Sequence, residues 1–239
     1  MNTKFRWAGF ALLALLTAGS VAWDWSPVAA LAQEKSVKPG INDMWKSGEI
    51  APLVERLEAE SREIYAERAK LADLVGLREG MSVADVGAGS GFMVEEFARR
   101  VGSSGKVYAV DINQKLLERI AARAREQRTI QVRTLLTRED SVDLRPATVD
   151  LIFLCDTYHH FEYPQKSLAG IHSALREGGE LVVVEFKREP GKTEDWLLEH
   201  VRAGQEEFTR EIEAAGFTLV RVEPAPFLSE NYVLRFRKK

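Results

Sequence analysis

The sequence has little cysteine and little excess charge, and each shortage excludes a class of protein. One cysteine, Cys155, in 239 residues excludes an intramolecular disulfide framework and a zinc site made of several thiolates. The 33 basic and 36 acidic residues leave a net charge of −3, which gives no electrostatic footprint for nucleic acid. No repeat recurs at a fixed period, so solenoid and collagen-like chains are excluded too. With 45% hydrophobic residues, the chain is predicted to fold as one globular domain.

The N-terminal segment predicts export. Lys4 and Arg6 precede an apolar run over residues 8–18, and the segment ends in Ala30-Leu31-Ala32. This pattern is typical of a secretory signal peptide. The run is shorter than the roughly 18 residues of a membrane span, which favours cleavage over a retained anchor. We therefore expect residues 1–32 to be a signal peptide or, alternatively, an N-terminal anchor. The protein is then periplasmic or secreted, with membrane contact only if the segment is retained.

The residue composition and hydrophobic pattern change at two points after this segment. Residues 33–52 are polar and contain Pro39-Gly40 and Ser47-Gly48, which is typical of a linker or a loosely held lead-in. Residues 53–75 carry apolar side chains three or four positions apart, with charged residues between them, which predicts one amphipathic helix. We therefore expect a folded domain over residues 53–239, with this helix at its start.

Short apolar runs alternate with helix-length segments through the rest of the chain. Runs rich in Val, Ile and Leu predict buried parallel strands over residues 82–86, 106–110, 130–135, 149–155 and 181–186. The intervening segments predict helices over residues 92–101, 114–127 and 165–175. Strands predicted over residues 218–223 and 232–237 have no room for a crossover between them, so they should be antiparallel. The predicted fold is α/β, with a mostly parallel sheet, a C-terminal antiparallel strand and helices on both faces.

A glycine-rich loop follows the first of these strands. Gly87, Gly89 and Gly91 separate it from the next helix, which places backbone N–H groups at the carboxyl edge of the sheet, where such folds bind ligands. A dinucleotide fingerprint would need a third glycine where Phe92 stands, so the spacing disfavours a nicotinamide cofactor. Asp111 ends the next strand, where a carboxylate can accept both hydroxyls of an adenosine ribose. A ligand-free turn at the glycines and helix capping by Asp111 are the alternatives.

In this order, the motifs resemble those of the class I S-adenosylmethionine-dependent methyltransferases. Residues 85–91 resemble the first motif of that family, and Val110-Asp111 its ribose-binding acid. Glu139-Asp140-Ser141 resembles the acidic loop on the adenine side, and residues 156–161 the motif after the fourth strand. Residues 175–184 resemble the turn into the fifth strand. The resemblance runs from about residue 44 to the C-terminus and implies a Rossmann-like fold.

The resemblance also implies S-adenosyl-L-methionine as the cofactor and a set of residues that bind it. The set is Tyr65, Asp85, Gly87, Ala88, Gly89, Gly91, Asp111, Ile112, Asp140, Ser141 and Asp156. A leading helix such as residues 53–75 often closes over the cofactor as a lid in this family, which would let Tyr65 and Arg68 reach the cofactor carboxylate. Asp156 is expected to face the methionyl ammonium. For Arg62, a surface ion pair with neighbouring glutamates is favoured instead.

Residues 61–65, 158–161 and 200–204 are similar to a secreted or envelope-associated bacterial subgroup of the family. This similarity implies an acceptor that is a small molecule or an envelope component. No Asn/Asp-Pro-Pro-Tyr/Phe motif follows the fourth strand, so base methylation loses its usual support. The alternatives are a non-catalytic S-adenosylmethionine-binding sensor or scaffold of the cell envelope, because export separates the protein from the cytoplasmic cofactor pool, or a nicotinamide-dependent oxidoreductase.

The candidate catalytic residues are Tyr158, His159 and His160, just after the fourth strand. A histidine can accept a proton near neutral pH, so one of the pair is the predicted general base. Because adjacent side chains usually point apart, we expect at most one imidazole to face the transferred methyl group; a capping role for both is the alternative. No metal is expected, since no second cluster with ligand spacing accompanies the pair. His200, Arg202 and Asn231-Tyr232 are further candidates for substrate contact.

Overall fold

The computed structural model describes residues 33–46 and 48–239, so the predicted signal segment lies outside the described residues. The strands are β1 (Ser82–Val86), β2 (Lys106–Asp111), β3 (Val132–Leu136), β4 (Val149–Cys155), β5 (Leu175–Phe186), β6 (Phe217–Glu223) and β7 (Asn231–Lys238). The α-helices are α1 (Ala51–Leu57), α2 (Glu63–Ala66), α3 (Arg68–Val75), α4 (Phe92–Val101), α5 (Gln114–Glu126), α6 (Pro164–Ala174), α7 (Asp195–His200) and α8 (Gln205–Ala214). Short 3₁₀ turns occur at Asp43–Lys46 and Tyr158–His160.

The strands form one seven-stranded sheet in the order β3-β2-β1-β4-β5-β7-β6. Strands β1 to β5 pair in parallel, whereas β7 runs antiparallel to both of its neighbours, β5 and β6. The predicted fold class is therefore confirmed, including the antiparallel C-terminal pair.

Both faces of the sheet are covered by helices. In β4, Ile152 and Leu154 join a core cluster with apolar residues of α6 and α8, whereas Leu151 and Phe153 join a second cluster with α3 and α4. Successive side chains of a strand point to opposite faces, so a strand buried on both sides needs the continuous apolar runs seen in the sequence.

The order of the strands creates a crevice at the centre of the sheet. From β1 the chain builds outward through β2 and β3 and then returns to place β4 on the other side of β1. The connections after β1 and β4 therefore leave in opposite directions. In open α/β sheets ligands bind at this switch point, beyond the carboxyl ends of the strands.

The N-terminal region differs from the single helix predicted over residues 53–75, since three short helices, α1 to α3, occupy it. The break between α1 and α2 has an identifiable cause at Arg62. Its guanidinium donates to the carbonyl oxygen of Leu57 at 2.9 Å, at the end of α1, and to Oδ2 of Asp156 at 2.9 Å. The side chain thus turns the chain toward the sheet where the periodicity alone would continue a helix.

The lead-in before α1 packs on the domain. Ile41 and Asn42 are buried, and Nδ2 of Asn42 donates to the carbonyl oxygen of His160 at 3.0 Å. The backbone N–H of Val37 donates to the carbonyl oxygen of Glu162 at 2.9 Å. These contacts bring the turn at Asp43–Lys46 to the carboxyl edge of the sheet. Among the described residues, no helix combines the length and apolar character that a membrane span requires.

Candidate active site

A cavity of about 390 Å³ lies beyond the carboxyl ends of β1, β2, β3 and β4. Its walls also include residues of the lead-in, of the segment from α1 to α2, of α7 and of the start of β7. Its volume falls within the roughly 300–1,000 Å³ of small-molecule sites. The predicted site residues that line it are Gly87, Gly89, Asp111, Ile112, Ser141, Asp156, His159 and His160.

The glycine loop forms the floor of the cavity. Gly87 has a φ of +78°, and a Cβ at this position would lie 2.4 Å from the side chain of Thr157 after β4. Glycine is therefore required here both by the left-handed backbone and by the close approach of two loops. The same absence of side chains leaves the backbone of Gly87 and Gly89 open to a bound molecule.

Asp111 joins two walls of the cavity. Its Oδ2 accepts a hydrogen bond from the backbone N–H of Gly89 at 2.8 Å, and its Oδ1 accepts one from that of Asn113 at 2.8 Å. Burial raises the pKa of the carboxyl group, and these backbone donors oppose the rise. The cap of α5 is Asn113, whose side chain accepts from the N–H groups of Lys115 and Leu116. Asp111 is thus not the capping residue, and its carboxylate, which has about four acceptor sites, keeps capacity for a ligand.

Several predicted cofactor residues lie outside the cavity lining. Ala88 is buried in the core, and Gly91 packs on Ile120, whose Cγ1 would lie 2.6 Å from an added Cβ. Asp85 is buried beneath the loop, where desolvation and the charge of Asp111 raise its pKa to about 8. These residues support the loop from below, and their contact with the cofactor stays a prediction.

Asp140 and Tyr65 also lie elsewhere than predicted. Asp140 pairs with Arg138 at 3.3 Å and lies 3.6 Å from Nζ of Lys166, outside the cavity. Its neighbour Glu139 lines the cavity instead. The ring of Tyr65 packs edge-on against Phe92, with centroids 5.5 Å apart, beneath the guanidinium of Arg68. Neither Tyr65 nor Arg68 faces the cavity, because the break after α1 rotates α2 away from the orientation of one long helix.

Arg62 and Asn231 complete a polar end of the cavity that the sequence did not predict as a unit. Oδ2 of Asp156 accepts from Arg62 at 2.9 Å, and its Oδ1 accepts from Nδ2 of Asn231 at 2.6 Å. The backbone of Asp156 is left-handed, with a φ of +48°. Burial raises the pKa of its carboxyl group to about 6, although the positive charge of Arg62 opposes that rise. The prediction that Arg62 forms a surface ion pair with neighbouring glutamates is therefore wrong.

Three imidazoles meet at the opposite end. The rings of His159 and His160 have centroids 4.3 Å apart, and each lies 5.1 Å from that of His200 on α7. All three residues line the cavity. His159 and His160 do so together because they lie in a 3₁₀ turn and not in an extended strand. The expectation that at most one of the adjacent imidazoles faces the transferred methyl group stays a prediction.

Tyr158, the third predicted catalytic residue, points away from the cavity. It is fully buried, its hydroxyl donates to Oε2 of Glu211 at 2.8 Å, and its ring packs edge-on against Phe208. Burial raises the pKa of the phenol well above its usual value. Arg202 pairs with the same glutamate, so this predicted substrate contact also belongs to the packing behind the site. Tyr232 lies outside the lining, whereas its neighbour Asn231 is part of it.

Aromatic residues surround the histidines. The ring of Trp45 packs edge-on against His160 at 5.8 Å, that of Phe186 lies 6.0 Å from His159, and that of Trp196 lies 6.3 Å from His200. Nε1 of Trp45 is buried without a hydrogen-bond partner, which leaves a donor at the cavity wall. Trp45 lies in the lead-in, where the composition predicts only a linker.

The glycine loop, the strand-end acid and the antiparallel seventh strand together define a class of protein. Residues 77–226 match the family model described as "Methyltransferase domain", and the chain belongs to that family. The chain thus carries a class I methyltransferase domain, of the family that uses S-adenosylmethionine as its cofactor.

Known proteins similar to this chain agree with that class. A crystal structure of an S-adenosylmethionine-dependent methyltransferase from Aquifex aeolicus shares 25% identity, with a TM-score of 0.70 over 81% of this chain and 100% of that one. One from Mesorhizobium loti, at 18% identity, has a TM-score of 0.59 over 75% of this chain and 99% of that one, and shows the fold alone.

The curated relatives match a shorter part of the chain. The ubiquinone/menaquinone biosynthesis C-methyltransferase UbiE of Hydrogenovibrio crunogenus is 30% identical over 117 residues, which are 48% of this chain and 46% of that protein. The chain thus spans about half the length of the curated relatives it matches.

Proposed function

We propose that the protein transfers a methyl group from S-adenosylmethionine to a small, largely apolar acceptor with a planar ring. The observation that carries this proposal is the acceptor end of the cavity, the part bordered by Trp45, Phe186, Trp196 and the three histidines. Flat aromatic walls with a few polar groups suit a ring-shaped ligand. The similarity to UbiE, a C-methyltransferase of ubiquinone and menaquinone biosynthesis, supports the same class of acceptor.

The described residues fit the cofactor. Asp111 retains acceptor capacity for the ribose hydroxyls, and the open backbone at Gly87 and Gly89 admits close approach of a ligand. At the other side of the loop, Arg62 offers a positive charge for the methionyl carboxylate and Asp156 a negative charge for the ammonium. When bound, the cofactor supplies an electrophilic methyl group on a sulfonium.

The chain itself must hold the acceptor and dispose of its proton. His159 is buried, whereas His160 and His200 are partly exposed, and together with the aromatic walls they restrict the arrangements that the acceptor can take. Nδ1 of His159 lies 2.8 Å from Oε2 of Glu185, so this imidazole is held in one orientation. That one of His159 and His160 removes the acceptor proton stays a prediction. A second role that these side chains can take is developed below.

We extend the proposal to location and acceptor source on the strength of the N-terminal sequence. The basic residues, the apolar run and Ala30-Leu31-Ala32 support export, and export supports an acceptor of the cell envelope. Fractionation of cells, followed by N-terminal sequencing of the mature chain, tests both the compartment and the cleavage site. Recovery of the intact chain only in the cytoplasm would remove the envelope component from the proposal.

The enzymatic proposal is tested with S-adenosylmethionine that carries a labelled methyl group. The protein is incubated with a cell extract, and the label is sought in the fraction soluble in organic solvent. We expect transfer by the wild type, none with added excess demethylated cofactor, and strongly reduced transfer by Asp111→Ala. Label found in macromolecules alone contradicts a small acceptor. Cofactor binding without transfer to any fraction supports the sensor or scaffold alternative, and binding of NAD without S-adenosylmethionine contradicts the cofactor site proposed here.

A further inference from the structure

The three histidines at the acceptor end have the arrangement of metal ligands. One nitrogen of each side chain lies within 4.8 Å of the corresponding nitrogens of the other two. Nitrogens that share one zinc ion lie about 2.0–2.1 Å from the metal, and hence about 3.4 Å from one another. The limit of 4.8 Å on the separations within the cluster is about 1.4 Å above that value. No other group of three or more such side chains with this proximity was found among the described residues.

A buried carboxylate stands behind the cluster. Glu185 is 0% exposed and His159 is 1% exposed, and both oxygens of Glu185 lie within 2.9 Å of Nδ1 of His159. Among the described residues, no lysine or arginine forms an ion pair with Glu185. A carboxylate that holds one ring nitrogen leaves the other free to ligate and raises its basicity, which is the usual arrangement behind metal-bound histidines.

An unpaired ring nitrogen lies within the cluster. Nδ1 of His160 is buried and has no hydrogen-bond partner, which leaves a polar atom unsatisfied there. A neutral imidazole has a lone pair on one ring nitrogen, and this lone pair can bind a metal ion.

We infer that His159, His160 and His200 bind a divalent transition metal, with Zn²⁺ as the ion that suits them, and that Glu185 orients the first of these ligands. Three imidazoles are a ligand set found in catalytic zinc sites, where a fourth position stays open to water or substrate. The open side here faces the aromatic walls of the acceptor end.

The role of the ion rests on the proposed methyl transfer. A hydroxyl group of the acceptor that binds at the open position has a lowered pKa, because the ion stabilises its anion. Its proton leaves to solvent, and the electron pair stays on the acceptor as the nucleophile. The ion would thus replace a histidine as the means of deprotonation. This accounts for three imidazoles where a general base would need only one.

The test uses the tag-free protein, stripped with a chelator and titrated with zinc chloride in a calorimeter. We expect one zinc ion to bind per chain, and His200→Ala to abolish that binding. Glu185→Gln should weaken it about 10- to 100-fold, the usual effect of removing the residue behind a ligand. His172→Ala is the matched control, because it removes the one histidine that lies outside the cluster and should leave zinc affinity unchanged. Melting temperatures confirm that each variant is folded.

Cobalt provides a second readout that does not depend on activity. The Co²⁺-loaded wild type should show the visible absorption of a four-coordinate site, and His200→Ala should not. Stripped wild-type protein that binds S-adenosylmethionine but no zinc overturns the metal site and leaves the proposed function intact. Zinc binding that is unchanged in His200→Ala overturns it as well. Zinc binding without S-adenosylmethionine binding supports the metal site and contradicts the proposed function.

Discussion

Replacement of Asp111 by alanine should weaken cofactor binding more than it weakens the fold. Asp111 is 7% exposed, and its carboxylate accepts the backbone N–H groups of Gly89 and Asn113 while it keeps acceptor capacity beside the cavity. Two charge-assisted hydrogen bonds to the ribose hydroxyls then depend on it. Their loss costs about 1.5–3 kcal/mol, which corresponds to a roughly 10- to 150-fold rise in the dissociation constant.

Calorimetric titration with S-adenosylmethionine measures this change, and thermal melting without ligand separates it from unfolding. Asp140→Ala is the matched control, since Asp140 lies outside the cavity and pairs with Arg138. It should change the dissociation constant by less than about twofold, as expected for an exposed ion pair. The reasoning fails if Asp111→Ala melts like the wild type and binds the cofactor equally well, or if both variants lose affinity to the same extent.

Three further predictions concern Asp85, Tyr158 and Gly87, of which only Gly87 lines the cavity. Asp85 has a pKa of about 8 in the native state, so it keeps a proton that the unfolded chain releases near pH 4. The free energy of unfolding should therefore fall as pH rises from about 4 to about 8. The slope should be up to about 1.4 kcal/mol per pH unit. Urea denaturation of Asp85→Asn across this range should show a shallower slope; an unchanged slope refutes the shifted pKa. Tyr158→Phe should cost about 0.5–1.5 kcal/mol of stability through its lost bond to Glu211 and leave the turnover number unchanged, whereas a large fall in turnover would restore its catalytic role. Gly87→Ala should destabilise the fold by about 2–4 kcal/mol in urea denaturation, because the new methyl group would overlap the side chain of Thr157. Gly178 has a φ of +69° with open space around it, so Gly178→Ala should cost only about 1–2 kcal/mol. Equal effects of the two substitutions would argue against the overlap.

The sequence predicts the parts of the site that lie close together along the chain. The strands that precede Gly87, Gly89 and Asp111 have clear sequence patterns. A parallel sheet brings the carboxyl ends of its strands to one edge, so these residues are predicted to lie together there. The same logic correctly placed Asp156 at the cavity.

The sequence does not predict contacts between distant segments. Arg62 stands among glutamates that suggest a surface ion pair, and its actual partner is 94 residues away. Trp45 lies in a segment whose composition signals a linker, and His200 comes 40 residues after His160. The available signal was the pair His159-His160 just after a predicted strand, with His200 further along the chain past the fifth strand. Tyr158 was misplaced because a 3₁₀ turn distributes adjacent side chains differently from a strand.

The backbone at Asp156 limits which amino acids the position can hold. A φ of +48° is adopted readily by glycine and, among residues with side chains, by asparagine and aspartate. The ion pair with Arg62 needs a negative charge, which only aspartate of these three supplies. A saturation library at this codon should therefore divide in two, with Gly, Asn and Asp recovered when selection is for solubility and Asp alone when it is for methyl transfer. Position 156 must therefore satisfy two requirements at once, a left-handed backbone and a negative charge. Either requirement alone would allow more amino acids than the two together.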